Sequence, residues 1–308
     1  MQMNQKEQLR KQHSQLIDQT VRELAQAYQK YHGSLTEFLT NALYADGVLQ
    51  PAYSNTYIDS VIDQYTEAVQ AEVERIAEEK VEEAFLLGLL MFYEDIGSPI
   101  SMQQARKELS TTGISFKAKT EVKRLLSHTS SNTSFRIKRI VKQVFSDSLL
   151  YQTAQSKQQD RLLGLLEQTK SIKEFEKILQ REGFVGIIDK RGYIWKPDVY
   201  AKMVLRTKLM EADAQTQKAK GEQSGIDLAW ISIAHVDNPC NLWEGTIISL
   251  NGFDRRFPTY EQAKATGEVF HPNCQHYLNV IRDISLAPLS VISATEQKYG
   301  IDLSEYKN

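Results

Sequence analysis

The sequence predicts an α+β fold that is predominantly helical, with a long helical N-terminal arm followed by a small α+β domain. The first half of the 308-residue chain contains long stretches whose apolar residues recur at helical spacing. After residue 170, turn signals separate short apolar runs typical of strands, and helical segments lie between them. This change predicts a helical arm over 1–170, an α+β domain over 171–283 and a C-terminal tail over 284–308, which is either extended or a final helix.

Composition excludes several classes of protein. Two cysteines, 41% hydrophobic residues and a formal net charge of −2 rule out collagen-like, disulfide-dense and low-complexity chains. The longest apolar run covers 84–92, which is far shorter than the ~20 residues that a membrane span requires. The polar N-terminus has no signal-peptide pattern, so we expect a protein that is made in the cytoplasm, keeps its cysteines reduced and has no membrane partner.

The arm is predicted to consist of successive helices. The first covers 4–30 and ends at Gly33, and Ser34 with Glu37 forms a capping-box signature for the second. A third helix is predicted over 57–92, and its last turns are apolar on every side, so we expect them to be buried. Loops rich in Ser, Thr and Gly are predicted over 111–114 and 127–134, with a basic helix over 116–126 between them and another from Ser134.

The α+β domain is predicted from turn and capping signals. Ser171 and Glu174 cap a helix that ends at Gly183, and a hairpin follows with its turn at 189–192. Pro197 begins a long helix that ends by Gly225. The remaining segments are strands over 226–233, 246–250 and 277–281 and a capped helix over 259–266.

The small net charge conceals two blocks of opposite sign. The segment 59–95 contains eleven acids and two bases, a net charge of −9, whereas 106–142 contains ten bases and two acids, a net charge of +8. Either the two blocks pair within the fold, or they mark surfaces for nucleic acid or a protein partner. The candidate contact residues are Lys117, Lys119, Lys123, Arg124, Arg136, Lys138, Arg139 and Lys142.

Metal-capable side chains are concentrated between residues 235 and 276. Both cysteines and three of the six histidines lie there, and such combinations in turns suit tetrahedral zinc. The candidate ligands are Cys240, His271, Cys274 and His276, with Asp237 or His235 as a substitute. The alternative is that the cysteines are small buried apolar residues and the histidines tie the turns together through hydrogen bonds.

Enzymatic interpretations rest on the same residues. A Cys–His nucleophile pair would need a third, orienting group that the sequence does not place. A metal-dependent nuclease of the ββα-metal kind would use His235, Asn273 and His276 around one hairpin and helix, a pattern that is not evident. The standard glycine-rich nucleotide-binding motifs, the serine hydrolase elbow and the H-E-x-x-H motif are absent from the sequence.

The predicted α+β domain contains five recognisable motifs: Arg206-Thr207, Gly225-Ile226-Asp227-Leu228, Asp237-Asn238-Pro239-Cys240 with Trp243 and Gly245, Pro258-Thr259-Tyr260-Glu261-Gln262-Ala263, and Phe270-His271-Pro272-Asn273-Cys274-Gln275-His276. Together they resemble a known family, the MuF-like head-morphogenesis proteins, which are minor head or minor capsid proteins of tailed bacteriophages. The resemblance covers about 183–283, and its His-Pro-Asn-Cys-x-His ending is the most specific part. Many relatives carry a Cys-x-x-Cys where this chain has Asp237 to Cys240, so a zinc site here requires a substitute for the first cysteine.

The resemblance implies a non-enzymatic protein of the virion, made in the host cytoplasm and located inside the capsid at the portal vertex. Its partners would be the portal protein and also DNA and scaffolding or capsid proteins. It would act in head assembly, DNA packaging or DNA delivery, and structural zinc is the one cofactor to consider. Two other functions stay open: a metal-dependent nuclease or other phage-encoded enzyme, and a DNA-binding protein without a capsid role.

Overall fold

Helices dominate the structure, a computed structural model that describes residues 5–45, 48–49, 53–112, 114–154, 172–189, 191–235 and 237–307. The predicted α+β class with a predominance of helix is confirmed. The helices are α1 (Gln5–Leu43), α2 (Asn55–Asp95), α3 (Met102–Thr112), α4 (Ile114–Ala154), α5 (Ile172–Ile178), α6 (Pro197–Ser224), α7 (Tyr260–Ala265) and α8 (Leu289–Tyr299).

Strands are short, and the described ones form three small antiparallel sheets. Strands β1 (Tyr44–Ala45) and β2 (Val48–Leu49) form one pair, and β3 (Ile187–Ile188) and β4 (Ile194–Trp195) form the hairpin that the turn at 189–192 predicts. The third sheet contains β5 (Leu228–Ile231), β6 (Ile247–Ser249) and β7 (Leu278–Ile281) in the order β6-β5-β7. The three strands predicted for the α+β domain are therefore confirmed.

Contacts divide the chain into two compact units, each built from separated segments. One unit consists of 1–21, 77–122 and 203–308, and the other consists of 22–76 and 123–202. The division predicted from the sequence, by contrast, uses three consecutive segments: an arm, a domain and a tail. That division stays a prediction.

The helix end predicted at Gly33 is wrong, because α1 continues through it to Leu43. The Ser34 hydroxyl donates to the carbonyl oxygen of Lys30 at 3.0 Å, so Ser34 does not cap a second helix. Buried residues on both sides of Gly33, including Tyr28 and Leu39, lie on one continuous apolar stripe. Burial of that stripe outweighs the ~1 kcal/mol that a glycine costs within a helix.

The loop predicted over 127–134 is also wrong, since α4 is continuous there. The Ser and Thr hydroxyl groups donate hydrogen bonds to backbone carbonyls of the preceding helical turn. Thr133 donates to the carbonyl of Thr129 at 2.9 Å, and Ser131 donates to that of Ser127 at 3.2 Å. The other predicted loop reduces to the junction between α3 and α4, where residue 113 lies outside the described residues. Ser171, the predicted cap of α5, lies outside them too.

The apolar end of α2 is buried, as its sequence predicts, and it packs against α6 in the first unit. Gly88 permits this close approach, because a Cβ atom there would lie 3.0 Å from the Thr216 hydroxyl oxygen and 3.3 Å from the Asp213 Cα. The side-chain amide of Gln217 donates to the Gly88 carbonyl at 3.3 Å. The fully buried Phe92 continues into the core of the β6-β5-β7 sheet.

The C-terminal tail contains a helix, which settles a point that the sequence left undecided. Val291 and Ile292 of α8 are buried with Ile247, Ile284 and Leu303 in one apolar cluster. The helix ends at Gly300, whose left-handed conformation has φ of 66° and which donates its N–H to the Glu296 carbonyl at 2.8 Å. Residues of the predicted tail therefore pack against strands β6 and β7 of the third sheet.

Replacing Gly221 by alanine should destabilise the protein by about 1–3 kcal/mol, because a methyl group there has no room. Its Cβ would lie 2.5 Å from the carbonyl oxygen of Ile226 and 2.9 Å from Leu250 Cδ1. Gly33→Ala is the matched control, since nothing lies within 4 Å of the added atom and alanine favours the helix. Urea unfolding curves should move in opposite directions, and equal shifts would contradict the close approach at Gly221.

Candidate metal centre

Sheet topology brings two turns together at one end of the β6-β5-β7 sheet. The end of β5 lies beside the start of β7, with Ile231 opposite Leu278. The backbone N–H of Ser232 donates to the Tyr277 carbonyl at 2.9 Å, and the N–H of Tyr277 donates to the Ser232 hydroxyl at 2.9 Å. The turn that follows β5 and the turn that precedes β7 therefore meet there.

The first turn positions Cys240. Asn238 precedes a short 3₁₀ helix, Pro239–Leu242, and its side-chain oxygen accepts a hydrogen bond from the N–H of Cys240 at 2.9 Å. Proline restricts the backbone before it to extended conformations, so the chain enters this short helix abruptly. Cys240 is buried by this geometry.

The second turn positions His271, Cys274 and His276. Phe270 and Asn273 adopt left-handed backbone conformations, with φ of 54° and 66°, which curl the chain tightly around His271. The N–H of Cys274 donates to the His271 carbonyl at 2.9 Å. The N–H of Asn273 donates to the Thr207 hydroxyl of α6 at 3.3 Å, which anchors the turn on a long helix.

Three side chains converge, those of Cys240, His271 and Cys274, and His276 adjoins Cys274. Cys240 Sγ lies 3.0 Å from His271 Nε2 and 4.0 Å from Cys274 Sγ. Cys274 Sγ lies 3.3 Å from Nδ1 of His276. Ligand atoms of Cys240, His271 and Cys274 all lie within 4.8 Å of one another, and His276 borders this group through Cys274.

Both histidines have their second ring nitrogen bonded to an oxygen acceptor. Nδ1 of His271 lies 2.8 Å from the Pro272 carbonyl, which places its proton there and leaves the Nε2 lone pair towards Cys240. Nε2 of His276 lies 2.9 Å from Oε1 of Glu244, which leaves Nδ1 towards Cys274. This arrangement orients metal-binding imidazoles in many proteins.

Glu244 is a residue that the sequence did not single out. Its carboxylate also accepts the N–H groups of Ala234 and His235, both at 3.0 Å, so it joins the two turns. The position falls inside the Trp243 to Gly245 motif, but nothing in the sequence distinguishes it from other surface acids. Only the fold places this carboxylate behind His276.

The electrostatic environment shifts the pKa values of Cys274 and His276 in opposite directions. Burial disfavours the imidazolium, but the hydrogen bonds to Cys274 and Glu244 outweigh it and raise the pKa of His276. Burial opposes the thiolate of Cys274, but the hydrogen bond from His276 outweighs it and lowers the pKa of that thiol. Burial and the neighbouring sulfur of Cys274 raise the pKa of Cys240.

This donor set fits zinc. Around a tetrahedral zinc ion with bonds of about 2.3 Å to sulfur and 2.0 Å to nitrogen, two sulfur atoms lie about 3.8 Å apart and sulfur and nitrogen about 3.5 Å apart. The observed separations of 4.0, 3.0 and 3.3 Å differ from these by about half an ångström or less. Small rotations of Cys240, His271 and Cys274 would therefore accommodate an ion, whereas His276, which is outside the 4.8 Å group, would have to move closer to complete a set of four ligands.

The two substitute ligands lie outside the group. Asp237 and His235 are exposed, and neither belongs to the set of ligand atoms that lie within 4.8 Å of one another. His276 lies outside this set too, but it is buried and its Nδ1 is 3.3 Å from Cys274 Sγ, so it is the residue nearest to a fourth ligand position. Of the nuclease candidates, His276 is buried against Glu244, whereas Asn273 and His235 are exposed.

The basic candidate residues all lie on α4, and some of them pair with the acidic block. Lys119 lies 2.5 Å from the carboxylate of Glu82, and Lys138 lies 2.6 Å from that of Asp63. Lys142 lies 3.8 Å from Asp59. Pairing of the charge blocks within the fold therefore uses some of the bases and leaves others, and a partner surface on the rest stays a prediction.

Among the eight candidate contact residues, those that make no ion pair with any described residue are Lys117, Arg124, Arg136 and Arg139. Within the second unit, exposed positions recur every three or four residues along α4, which defines one solvent face of the helix. The large exposed side chains on that face are Arg124, His128, Phe135, Arg139 and Lys142. We call this set the basic face; Phe135, 68% exposed, lies at its middle.

Comparison with protein families decides the assignment. The family model described as phage minor capsid protein 2 matches residues 54–299, about four fifths of the chain. The chain belongs to this family. The prediction of a phage minor capsid protein is confirmed, and the match extends well beyond the 183–283 segment that carries the recognisable motifs. No curated protein and no solved structure matches it.

Both candidate sites of this phage minor capsid protein lie within the matched segment. The metal centre and the basic face fall between residues 117 and 276, whereas α1, β1 and β2 precede residue 54. Membership places the protein among structural components of the phage head. None of the described helices is long and apolar enough to span a bilayer.

Proposed function

We propose that this minor capsid protein is a structural component of the head interior that binds the portal vertex and assists head assembly, DNA packaging or DNA delivery. The family match is the observation that carries the proposal. A capsid family favours a structural role over an enzymatic one. Scaffolding and major capsid proteins are further partners that such a position would bring into contact.

The basic face of α4 is the surface that we assign to the portal. Arg124 and Arg139 are exposed and make no ion pair among the described residues, and Phe135 lies between them. Aromatic and arginine side chains are enriched at the energetic centres of protein interfaces, whereas DNA binding depends chiefly on the number of phosphate contacts. An acidic portal surface with an apolar recess therefore fits this face better than duplex DNA.

Charge reversal of Arg124 and Arg139 to glutamate should reduce the copies per head by about tenfold or more, since two interface arginines are removed. Copies are counted by quantitative mass spectrometry of purified heads. Arg255→Glu/Arg282→Glu is the control for general charge, because both arginines are exposed and lie outside α4. Normal copy number in the arginine variant would contradict the assignment, and binding to free DNA that weakens steeply with salt would favour DNA as the partner.

We also propose that Cys240, His271, Cys274 and His276 hold a structural zinc ion, with Glu244 supporting His276. The buried donor set and the orientation of both imidazoles support this proposal. A bound ion would cross-link the turn after β5 to the turn before β7, where the sheet itself is only three short strands. Metal content of the purified chain, measured by elemental analysis, tests it directly.

A further inference from the structure

The β3–β4 hairpin exposes an apolar surface that the fold leaves uncovered. Register places Ile188 opposite Ile194, so the two side chains share one face of the hairpin. Ile188 is 49% exposed, Ile194 is 63% exposed and the adjacent Tyr193 is 65% exposed. Ile187 and Trp195, which form the other cross-strand pair, are half-buried. The hairpin thus turns the Ile188–Ile194 pair towards solvent.

The turn is held in one conformation by its own residues. Oδ1 of Asp189 accepts the N–H groups of Arg191 and Tyr193, both at 2.9 Å, and Oδ2 accepts the indole N–H of Trp195 at 3.1 Å. Gly192 completes the turn with a left-handed φ of 84°. A hairpin that is already ordered loses little conformational entropy when it binds a partner.

The base of the hairpin is fixed to the helices of the second unit. A Cβ atom on Gly186 would lie 2.6 Å from Thr129 Cγ2 of α4 and 3.0 Å from the Cα of Pro197, so the backbone packs directly against them. Phe184 stacks on His32 with ring centroids 4.0 Å apart. The exposed face is therefore carried on a rigid support.

Positive charge surrounds the apolar face. The segment 189–196 contains three bases and one acid. Arg191 and Lys196 are exposed and make no ion pair among the described residues, while the carboxylate of Asp189 is occupied by the turn. The next acid along the chain, Asp198, pairs with Lys202 at 3.0 Å.

We infer that this hairpin is a docking surface for another head protein, one that presents an apolar recess bordered by carboxylates. Aliphatic and tyrosine side chains at the centre with cations at the rim match the anatomy of protein interfaces. Binding of nucleic acid would require more cations than this face carries. A bilayer surface is the other alternative partner, and the test below distinguishes it. The inference rests on the proposed function, because its test counts copies of the chain in phage heads.

The test replaces Ile188, Tyr193 and Ile194 by serine in the full chain and counts copies per head. We expect about a tenfold loss or more, because the apolar centre of the interface is removed. Phe253, Leu286 and Leu289 are exposed by 61–65%, and their replacement by serine is the matched control, expected to leave the copy number unchanged. Equal losses in both variants, or none in the hairpin variant, would overturn the inference.

A photo-reactive benzoylphenylalanine at position 193 identifies the partner. An adduct with another head protein that disappears in the Arg191→Glu/Lys196→Glu variant supports the inference. Adducts only with DNA or with a second copy of the chain, or binding of the free chain to phosphatidylglycerol vesicles through the hairpin, would overturn it. If the unmodified chain is absent from heads, the proposed function fails instead, so the two failures are distinguishable.

Discussion

Cys274→Ser should lose the bound metal and lower the free energy of unfolding by about 3–4 kcal/mol, the contribution of a ligand present at 100 to 1,000 times its Kd. Cys274 is central to the donor set, because its sulfur faces both Cys240 and His276. Serine is similar in size but is a poor zinc ligand. The measurement combines elemental analysis with urea unfolding in buffers with and without a chelator.

Two variants test whether zinc binding follows the ligand positions in the structure or those suggested by the family motif. Asp237→Ala should keep its zinc, because Asp237 is exposed and lies outside the ligand group even though the family motif puts it in the place of a cysteine. Glu244→Gln should weaken zinc binding by about 10–100-fold, since a carboxylate that orients a ligating histidine contributes that much. A native chain that contains no metal and does not respond to a chelator would show that hydrogen bonds alone join the two turns.

Local signals in the sequence were sufficient where a residue type determines the backbone. Thr259 and Gln262 form the capping box on α7 that their spacing predicts, and Pro197 begins α6. The hairpin turn follows from Asp189 and Gly192 for the same reason. These features depend on interactions a few residues apart, which a single sequence displays directly.

Helix continuity could not be predicted, because it depends on packing against distant segments. Gly33 and the Ser/Thr run at 127–134 are typical of loops, yet buried apolar residues on either side keep α1 and α4 intact. Pairing of the two charge blocks likewise requires α2 and α4 to lie side by side in the second unit, as the contact of Lys138 with Asp63 shows. Spacing along the chain carries no information on such contacts.

The candidate metal centre also combines features that local sequence signals predict with features that depend on contacts between distant segments. Residue types and the spacing of His271, Cys274 and His276 predicted the second turn of the site. Convergence with Cys240 depends on the sheet order β6-β5-β7, and the role of Glu244 depends on the turn that follows β5. A short-range motif could therefore name the candidate ligands but not the carboxylate that holds His276.

Asp213→Asn should stabilise the protein by up to about 3 kcal/mol at pH 7, the equivalent of a pKa difference of roughly two units. Asp213 is buried in α6, where desolvation outweighs the hydrogen bond from Gln217 and raises the pKa of this carboxyl from 3.8 to about 6. Above about pH 6 the folded protein must keep a buried carboxylate, and the amide variant avoids that cost. Asp237→Asn, at an exposed position, should change nothing.

The dependence on pH identifies the cause. A carboxyl whose folded pKa is raised contributes stability that is complete below 3.8 and is lost as the pH rises through about 6. The advantage of Asp213→Asn over the native chain should therefore vanish near pH 3.5 and grow to its full size by pH 7. Urea unfolding across this range measures it, and a constant difference at every pH would show that packing, not ionisation, is responsible.

His13, in the same compact unit, should make the free energy of unfolding change with pH in the direction opposite to that of Asp213. Burial lowers the pKa of this histidine from 6.5 to about 4, and its ring nitrogens contact the Tyr277 hydroxyl and the Leu209 carbonyl, both at 3.1 Å. Its contribution to stability is complete above pH 6.5 and falls by about 3 kcal/mol as the pH drops through 4. His13→Gln should therefore lose most stability relative to the native chain at pH 7 and much less at pH 4.

Because the two groups act in opposite directions, their contributions to stability largely cancel between pH 4 and 6. Relative to the native chain, the free energy of unfolding should rise with pH in Asp213→Asn and fall with pH in His13→Gln. The double variant should differ from the native chain by a nearly constant amount. A double variant whose difference from the native chain keeps either slope would mean that the nearby charges of Lys6, Arg10 and Asp95 respond to the substitutions.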